Sequence, residues 1–225
     1  FICVPTPSKE DGSCNSDLVE AYVTLLETAR YKGIIAIKST VAPGTTQRLI
    51  DSRKESSSYT PSLCFVPEFL RERCAVTDFV EMQDLLAIGT DEEVVFEILK
   101  GVHGDYPKKV IQLSPTEAEL LKYYSNCFNA MRIVFANQFF DVCERLDADY
   151  RKVKNAYVAR GQVRDTYLDA NENWRGYGGM CLPKDMKAMN AIFKTLECSD
   201  SLNIFECLDT INGQYKVTAP GGMRI

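Results

Sequence analysis

Between Thr116 and Leu146 the chain contains neither glycine nor proline. Across that stretch apolar residues recur at Leu120, Tyr124, Phe128, Met131, Phe135, Phe139, Val142 and Leu146, in steps of three and four. This is the period of an α-helix. About 30 residues at about 1.5 Å each make a rod of about 45 Å. The mean globular helix has only about 11–12 residues. A helix this long needs a structural reason, and the pattern predicts a spine between domains or a dimer interface.

The residues before it read differently. Short apolar runs at 1–4, 34–37, 63–66, 85–88 and 110–113 alternate with helical spacing. Asp17 with Glu20 resembles a capping box, and Leu18, Tyr22, Leu25 and Leu26 follow it at helical intervals. Gly33 fits a helix stop. Thr45 or Thr46 fits a helix cap, and a further helix is expected over 91–101. This alternation predicts an α/β fold with a doubly wound parallel sheet. Ligands of such sheets bind beyond the carboxyl ends of the strands. Thr6-Pro7, Ser39-Thr40 and Pro67-Glu68 all fall at such ends. After the long helix, shorter helices are expected near 149–160, 183–196 and 200–215, with an irregular segment over 161–182.

Charge and histidine content exclude several function classes. Twenty-six basic against 31 acidic residues give a net charge of -5, which argues against a nucleic-acid surface. No apolar run approaches the roughly 20 residues that span a bilayer. The one histidine, His103, rules out a multi-histidine metal site, and no metal is expected. It is read as a surface residue in a loop. Nine cysteines, none in a CxxC pair, fit a reduced, cytoplasmic protein. Cys3, Cys64, Cys127, Cys143 and Cys207 lie in apolar runs and are read as core filler.

Cys181 is different. It follows Gly176-Tyr177-Gly178-Gly179-Met180 and precedes Leu182-Pro183-Lys184-Asp185. The glycines let backbone approach a ligand, and Pro183 suits the first turn of a helix. A thiol just before a helix N-terminus, with Lys184 nearby, is favoured as thiolate. Asp185, one helical turn on, could orient water or a proton near the sulfur. On the long helix Lys122 and Asn126 share a face and could hold an oxyanion or a substrate hydroxyl together. Read from spacing alone, each feature also has a plain structural explanation: a glycine turn with an incidental cysteine, or a solvated helical stripe.

Five stretches, in order, resemble the UDP-glucose/GDP-mannose dehydrogenases. They are Phe1 to Pro7, Lys38 to Thr46, Pro67 to Glu72, Glu119 to Asn126 and Gly176 to Asp185. The resemblance implies a partial Rossmann-type sheet over 1–114, an all-α central domain over 115–215 that forms a homodimer through its long helix, and a linker over 216–225. It implies NAD-dependent oxidation of a nucleotide sugar to a uronate, without metal, membrane or nucleic acid. Cys181 then corresponds to a nucleophile that forms a thiohemiacetal and a thioester. Lys122 corresponds to the oxyanion-stabilising group with Asn126 as its partner, Asp185 and Thr40 to groups that position water, and Glu68 to a carboxylate of thioester hydrolysis. Thr6, Pro7, Ser39, Thr40, Val41, Glu72 and Lys184 correspond to NAD contacts. Phe69, Leu70, Arg71, Lys122, Asn126, Trp174, Gly176, Tyr177 and Gly178 correspond to sugar-nucleotide contacts, with Arg164 as the arginine a partner subunit supplies.

The chain departs from the family pattern at Val66, where Asn usually precedes Pro-Glu-Phe-Leu, and at Arg73 and Gln138. It holds no GxGxxG, so the expectation is a fragment lacking the pyrophosphate-binding unit and a C-terminal nucleotide domain, and inactive alone. Two alternatives are a dimerising module that has lost cofactor binding, and a 3-hydroxyacid-type dehydrogenase without thiol chemistry. A scaffold has no chemical need for Lys122, Asn126, Cys181 and Asp185 together.

Overall fold

The computed structural model describes residues 1–56, 61–71, 74–198 and 203–215. In chain order the elements are α1 (Asp17–Thr28), β1 (Ile35–Ile37), α2 (Thr45–Ser56), β2 (Leu63–Phe65), α3 (Ala75–Val80), β3 (Leu86–Gly89), α4 (Glu93–His103), β4 (Val110–Leu113), α5 (Pro115–Arg145), α6 (Tyr150–Val158), α7 (Leu182–Thr195) and α8 (Ile204–Asn212). The chain divides into two compact units, Phe1–Tyr124 and Ser125–Ile225. The linker expected over 216–225 lies outside the described residues, as does Glu72. No described helix is long and apolar enough to cross a membrane.

The first unit is built on a four-stranded sheet in the order β1-β2-β3-β4. The β1/β2 and β3/β4 pairs are parallel, and β2 meets β3 antiparallel through the single pair Phe65↔Gly89. The expected strand at the amino terminus reduces to one parallel bridge, Ile2↔Ile37. Beyond it the Ser39 hydroxyl ties the chain: it accepts from the Val4 N–H and donates to the Val4 carbonyl, both at 2.7 Å.

Strand alternation sorts the core onto two faces. Ile35, Ile37, Leu63 and Phe65 pack with Ile2, Val19, Val23 and Leu49 on one side. Ala36, Cys64 and Val66 pack with Leu86, Ile88, Val95 and Leu99 on the other. A sheet covered on both faces reads as a run of apolar residues, as these strands do. Val66 belongs to this second cluster and is fully buried. A side chain there fills core space instead of meeting solvent.

Several local expectations are corrected. The start of α1 is not capped by Asp17: the Asn15 side chain accepts the Asp17 N–H, and the Ser16 hydroxyl donates to Glu20. Its end is set by Arg30, left-handed at φ 53°, and not by Gly33, where a Cβ would collide with the Tyr31 ring. The reciprocal capping box belongs to α5. Ser114 Oγ accepts the Glu117 N–H, and the Glu117 carboxylate accepts the Ser114 N–H at 2.8 Å. His103 is neither exposed nor in a loop. It is the last residue of α4, buried, with Nδ1 2.8 Å from the Leu99 carbonyl and its ring edge-on to Phe1. Among the cysteines, Cys3 is exposed and Cys207 half-buried, while Cys14 is buried; Cys64, Cys127 and Cys143 are core residues as read.

The long helix spans 31 residues. Its apolar pattern is inverted relative to a core-facing helix. Leu120, Tyr124, Phe128, Phe135, Phe139, Val142 and Leu146 are exposed. The buried phase is Ala118, Glu119, Tyr123, Asn126, Cys127, Ala130, Ile133, Val134, Asn137, Phe140 and Cys143.

Glu119 is the one charged residue of that phase and is fully buried. Its carboxylate accepts the Gly44 N–H at 2.6 Å and the Thr46 N–H at 2.8 Å, at the N-terminus of α2. Gly44 has φ 90°, a left-handed conformation that costs glycine little and that turns its amide into the carboxylate. Burial pushes the Glu119 carboxyl above the usual glutamate range, against the Thr46 and Gly44 hydrogen bonds that favour its charge. Replacement by alanine orphans two amides, and Glu119→Ala is expected to lower the unfolding free energy by about 3 kcal/mol. For an acid whose native value is raised, the native state holds the proton longer than the unfolded chain. Its contribution is therefore greatest below the unfolded value of 4.5 and falls as pH rises through the native one. Denaturant melts across that window should show the stability difference between wild type and Glu119→Gln shrinking as pH rises.

Candidate active site

In the first unit the polar ends of neighbouring parallel strands converge as the sequence suggests. Thr6 is buried and donates its hydroxyl to the Thr40 carbonyl at 2.6 Å. The same carbonyl accepts Cys14 Sγ at 3.4 Å. Pro7 is exposed, Ser39 is engaged with Val4, and Val41 is fully buried beside Ile37 and Leu49 as a packing residue. Glu68 follows β2. One carboxylate oxygen caps the next amide, Phe69 N–H, at 3.0 Å, and the other pairs with Lys38 Nζ at 3.1 Å. Lys122, on α5, donates to the Glu68 carbonyl and lies 5.6 Å from the centre of the Phe69 ring. Phe69 and Leu70 are half-buried. Arg71 is anchored on Asp78 through Nε at 3.0 Å and Nη2 at 2.7 Å, which holds the Asp78 carboxyl below its usual range.

In the second unit Cys181 is the N-cap residue of α7, and Pro183 sits in the first turn. The thiol is exposed. Its carbonyl accepts the Asp185 N–H at 2.9 Å, the first hydrogen bond of the helix. Asp185 itself is only 1% exposed. One of its oxygens accepts the Asn126 side-chain N–H at 2.5 Å, and the other accepts Lys184 Nζ at 2.6 Å. A buried carboxylate is tolerated when both oxygens are satisfied by donors, one of them charged. Asn126 is thus oriented by Asp185, a partner the spacing did not identify. Cys127 lies beneath the same group, and burial with the Asp185 charge pushes its thiol up to about 12. It stays a neutral packing residue.

The loop before Cys181 is held by residues the sequence reading missed. Gly176 has φ 68°, and a Cβ there would meet Asn212 Oδ1 at 2.9 Å and Tyr215 Cβ at 3.1 Å. Its N–H points at Asn137 Oδ1, 3.3 Å away. Arg175 Nε donates to the same Asn137 oxygen at 2.6 Å, and its Nη2 pairs with Asp141 at 2.5 Å. The guanidinium lies 5.0 Å from the Phe140 ring centre and 4.7 Å from that of Tyr215. Tyr177 is buried; its N–H donates to Asn212 Oδ1 at 2.6 Å and its carbonyl accepts Asn212 Nδ2 at 3.0 Å. Gly178 and Trp174 are half-buried. Arg164 is exposed, and its carbonyl accepts Arg132 Nη2 at 2.7 Å. Asn137 lies on the buried phase of α5 with Ala130, Ile133 and Phe140, a phase the sequence pattern does not single out.

The comparisons with known proteins agree with this architecture. Residues 1–106 match the NAD binding domain of the UDP-glucose/GDP-mannose dehydrogenase family, and residues 116–214 match its central domain. A UDP-glucose 6-dehydrogenase of Rickettsia bellii is 33% identical over 198 residues, covering 86% of this chain and 44% of the relative. One from Rhizobium meliloti is 32% identical over 242 residues, covering 99% of this chain and 53% of the relative. The solved structure of a UDP-glucose dehydrogenase from the hyperthermophilic archaeon Pyrobaculum islandicum superposes with a TM-score of 0.82 at 31% identity. It covers 95% of this chain and 49% of that one. The chain therefore spans about half the length of these relatives. With both domain types matched in succession over nearly its whole length, the chain belongs to the UDP-glucose/GDP-mannose dehydrogenase family, a family of NAD-dependent oxidoreductases.

Proposed function

We propose that the protein carrying this chain oxidises the primary alcohol of a nucleotide sugar of the UDP-glucose kind to a carboxylate, through a thioester on Cys181. The observation that carries this reading is the exposed Cys181 thiol at the N-terminus of α7, one turn before a buried Asp185 that is bonded to Asn126. The polar carboxyl ends of the parallel strands, with Thr6, Ser39 and Thr40, suit a dinucleotide. NAD, when bound, would supply the hydride acceptor, one molecule for each of the two oxidations.

Loss of a hydride and a proton from the alcohol gives an aldehyde. The Cys181 thiolate adds to its carbonyl carbon, forming the C–S bond of a thiohemiacetal. Lys122 and the Asn126 amide balance the charge on its oxygen. Loss of a second hydride gives the thioester. Water, positioned by Asp185 and losing a proton, then adds to the acyl carbon. The C–S bond breaks, and carboxylate and free thiol result. Phe69, Leu70 and the 174–178 loop are assigned to the sugar nucleotide, with Arg164 offered to a partner subunit.

The test is a coupled assay on the whole protein with NAD and UDP-glucose. Wild type should release two NADH per uronate formed, and Cys181→Ala should form no uronate. Full turnover by Cys181→Ala would leave the 3-hydroxyacid-type reading, without thiol chemistry, in its place. The 225-residue chain alone is expected to release little NADH, because it holds no GxGxxG turn.

The exposed stripe on α5 supports a homodimer. Seven large apolar residues from Leu120 to Leu146 line it, and Phe135 and Phe139 stack with ring centres 4.7 Å apart. Contiguous apolar surface of this kind marks an association site. The double variant Phe135→Asp/Phe139→Asp should sediment as a monomer at concentrations where wild type sediments as a dimer.

A further inference from the structure

The α8 end and the loop before Cys181 are joined by an unusual contact. Asn212 both accepts from and donates to the backbone of the same residue, Tyr177. Its amide therefore pairs with Tyr177 as a neighbouring strand would, at a place where no strand exists. Asn212 is itself buried, so neither bond has water as a substitute. The Tyr177 hydroxyl is 3.3 Å from Asp209, one turn earlier on α8. On the other side of the loop Arg175 is fixed by Asn137 and Asp141 of α5, and the Tyr215 hydroxyl reaches Asp141 at 3.2 Å. Tyr177 shares a core cluster with Met186 of α7. The segment Gly178 to Cys181 is thus pinned at both ends, and four residues leave it little freedom of path.

We propose that Asn212 and Arg175 are positioning residues for Cys181: together they clasp Arg175 to Tyr177 and so fix where the thiol stands against the first turn of α7. This rests on Cys181 being the nucleophile proposed above. The glycines at 178 and 179 would otherwise let the loop wander, since Gly179 already takes φ 79°. Held by the clasp, the sulfur keeps one place at the start of α7, with no capping hydrogen bond of its own. Released, it averages over positions away from the first turn of α7, where a helix N-terminus favours an attacking anion. The clasp also ties the thiol loop to Tyr215, so the course of the chain just after α8 bears on the nucleophile.

The test reads the thiol directly and needs no turnover. The chain is treated with limiting iodoacetamide, and each cysteine is followed by mass spectrometry of its own peptide. Cys198, exposed and outside the clasp, is the internal reference, and buried Cys127 and Cys143 report unfolding. In Asn212→Leu the Cys181 rate is expected to fall about threefold relative to Cys198, with Cys127 and Cys143 still protected. Arg175→Lys, which loses the two-armed grip on Asn137 and Asp141, should fall in the same direction. A general loss of stability cannot produce this pattern, because it exposes Cys127 and Cys143 and slows nothing. If Asn212→Leu does unfold the unit, the milder Arg175→Lys decides by the same ratio. An unchanged Cys181 to Cys198 ratio in a folded variant overturns the proposal. That result leaves the thioester chemistry standing, whereas uronate formation by Cys181→Ala would remove the chemistry and leave the clasp.

Discussion

A fully buried carboxylate holds the first unit together. What stabilises Glu119 is the pair of amides at the start of α2. A helix N-terminus is electrostatically suited to this task, because its first amides have no partner within the helix. The consequence reaches further than one cap. The segment that leads into α2 carries Ser39 and Thr40, and Lys122 stands one turn after Glu119 on α5. One interaction therefore sets the register between the polar carboxyl end of the sheet and the helix that bears a catalytic candidate.

A second buried carboxylate has the same logic in the other unit. Asp185 is satisfied by an amide donor and an ammonium, and it orients Asn126 while standing one turn from Cys181. Each carboxylate converts the burial of charge, which is unfavourable alone, into a constraint on geometry. The positions that carry chemistry in the proposed reaction are thus backed by polar contacts from within the core.

Much of this was legible in the sequence, and the reason is local. Strands at 35–37, 63–65 and 86–89 announce themselves because a sheet covered on both faces needs apolar residues throughout. The helix over 115–145 announces itself because nothing in it can break it. Cys181, Lys122, Asn126 and Asp185 are found by motif. What could not be read is which partner each polar group takes. Asn126 pairs with a residue 59 positions away, and Asn212 with one 35 away. The periodic set from Leu120 to Leu146 is visible as a stripe, but periodicity cannot say that this stripe faces outward and that the phase with Ala, Cys and Asn packs inward. His103 was misplaced because Gly101 and Gly104 look like loop residues, whereas Gly101 continues α4 and only Gly104 ends it. Asp17 with Glu20 has the spacing of a capping box, and spacing alone cannot tell it from acidic residues that merely suit a first turn. The reciprocal pair sits at Ser114 and Glu117, where the proline between them marks the true start.

The aromatic stripe of α5 also shapes how the protein can change. In a dimer built about a two-fold axis, each residue of the stripe meets the same sequence again. A single codon change therefore enters the assembly twice, and its effect on association is doubled in free energy. Such a surface drifts slowly and in matched steps.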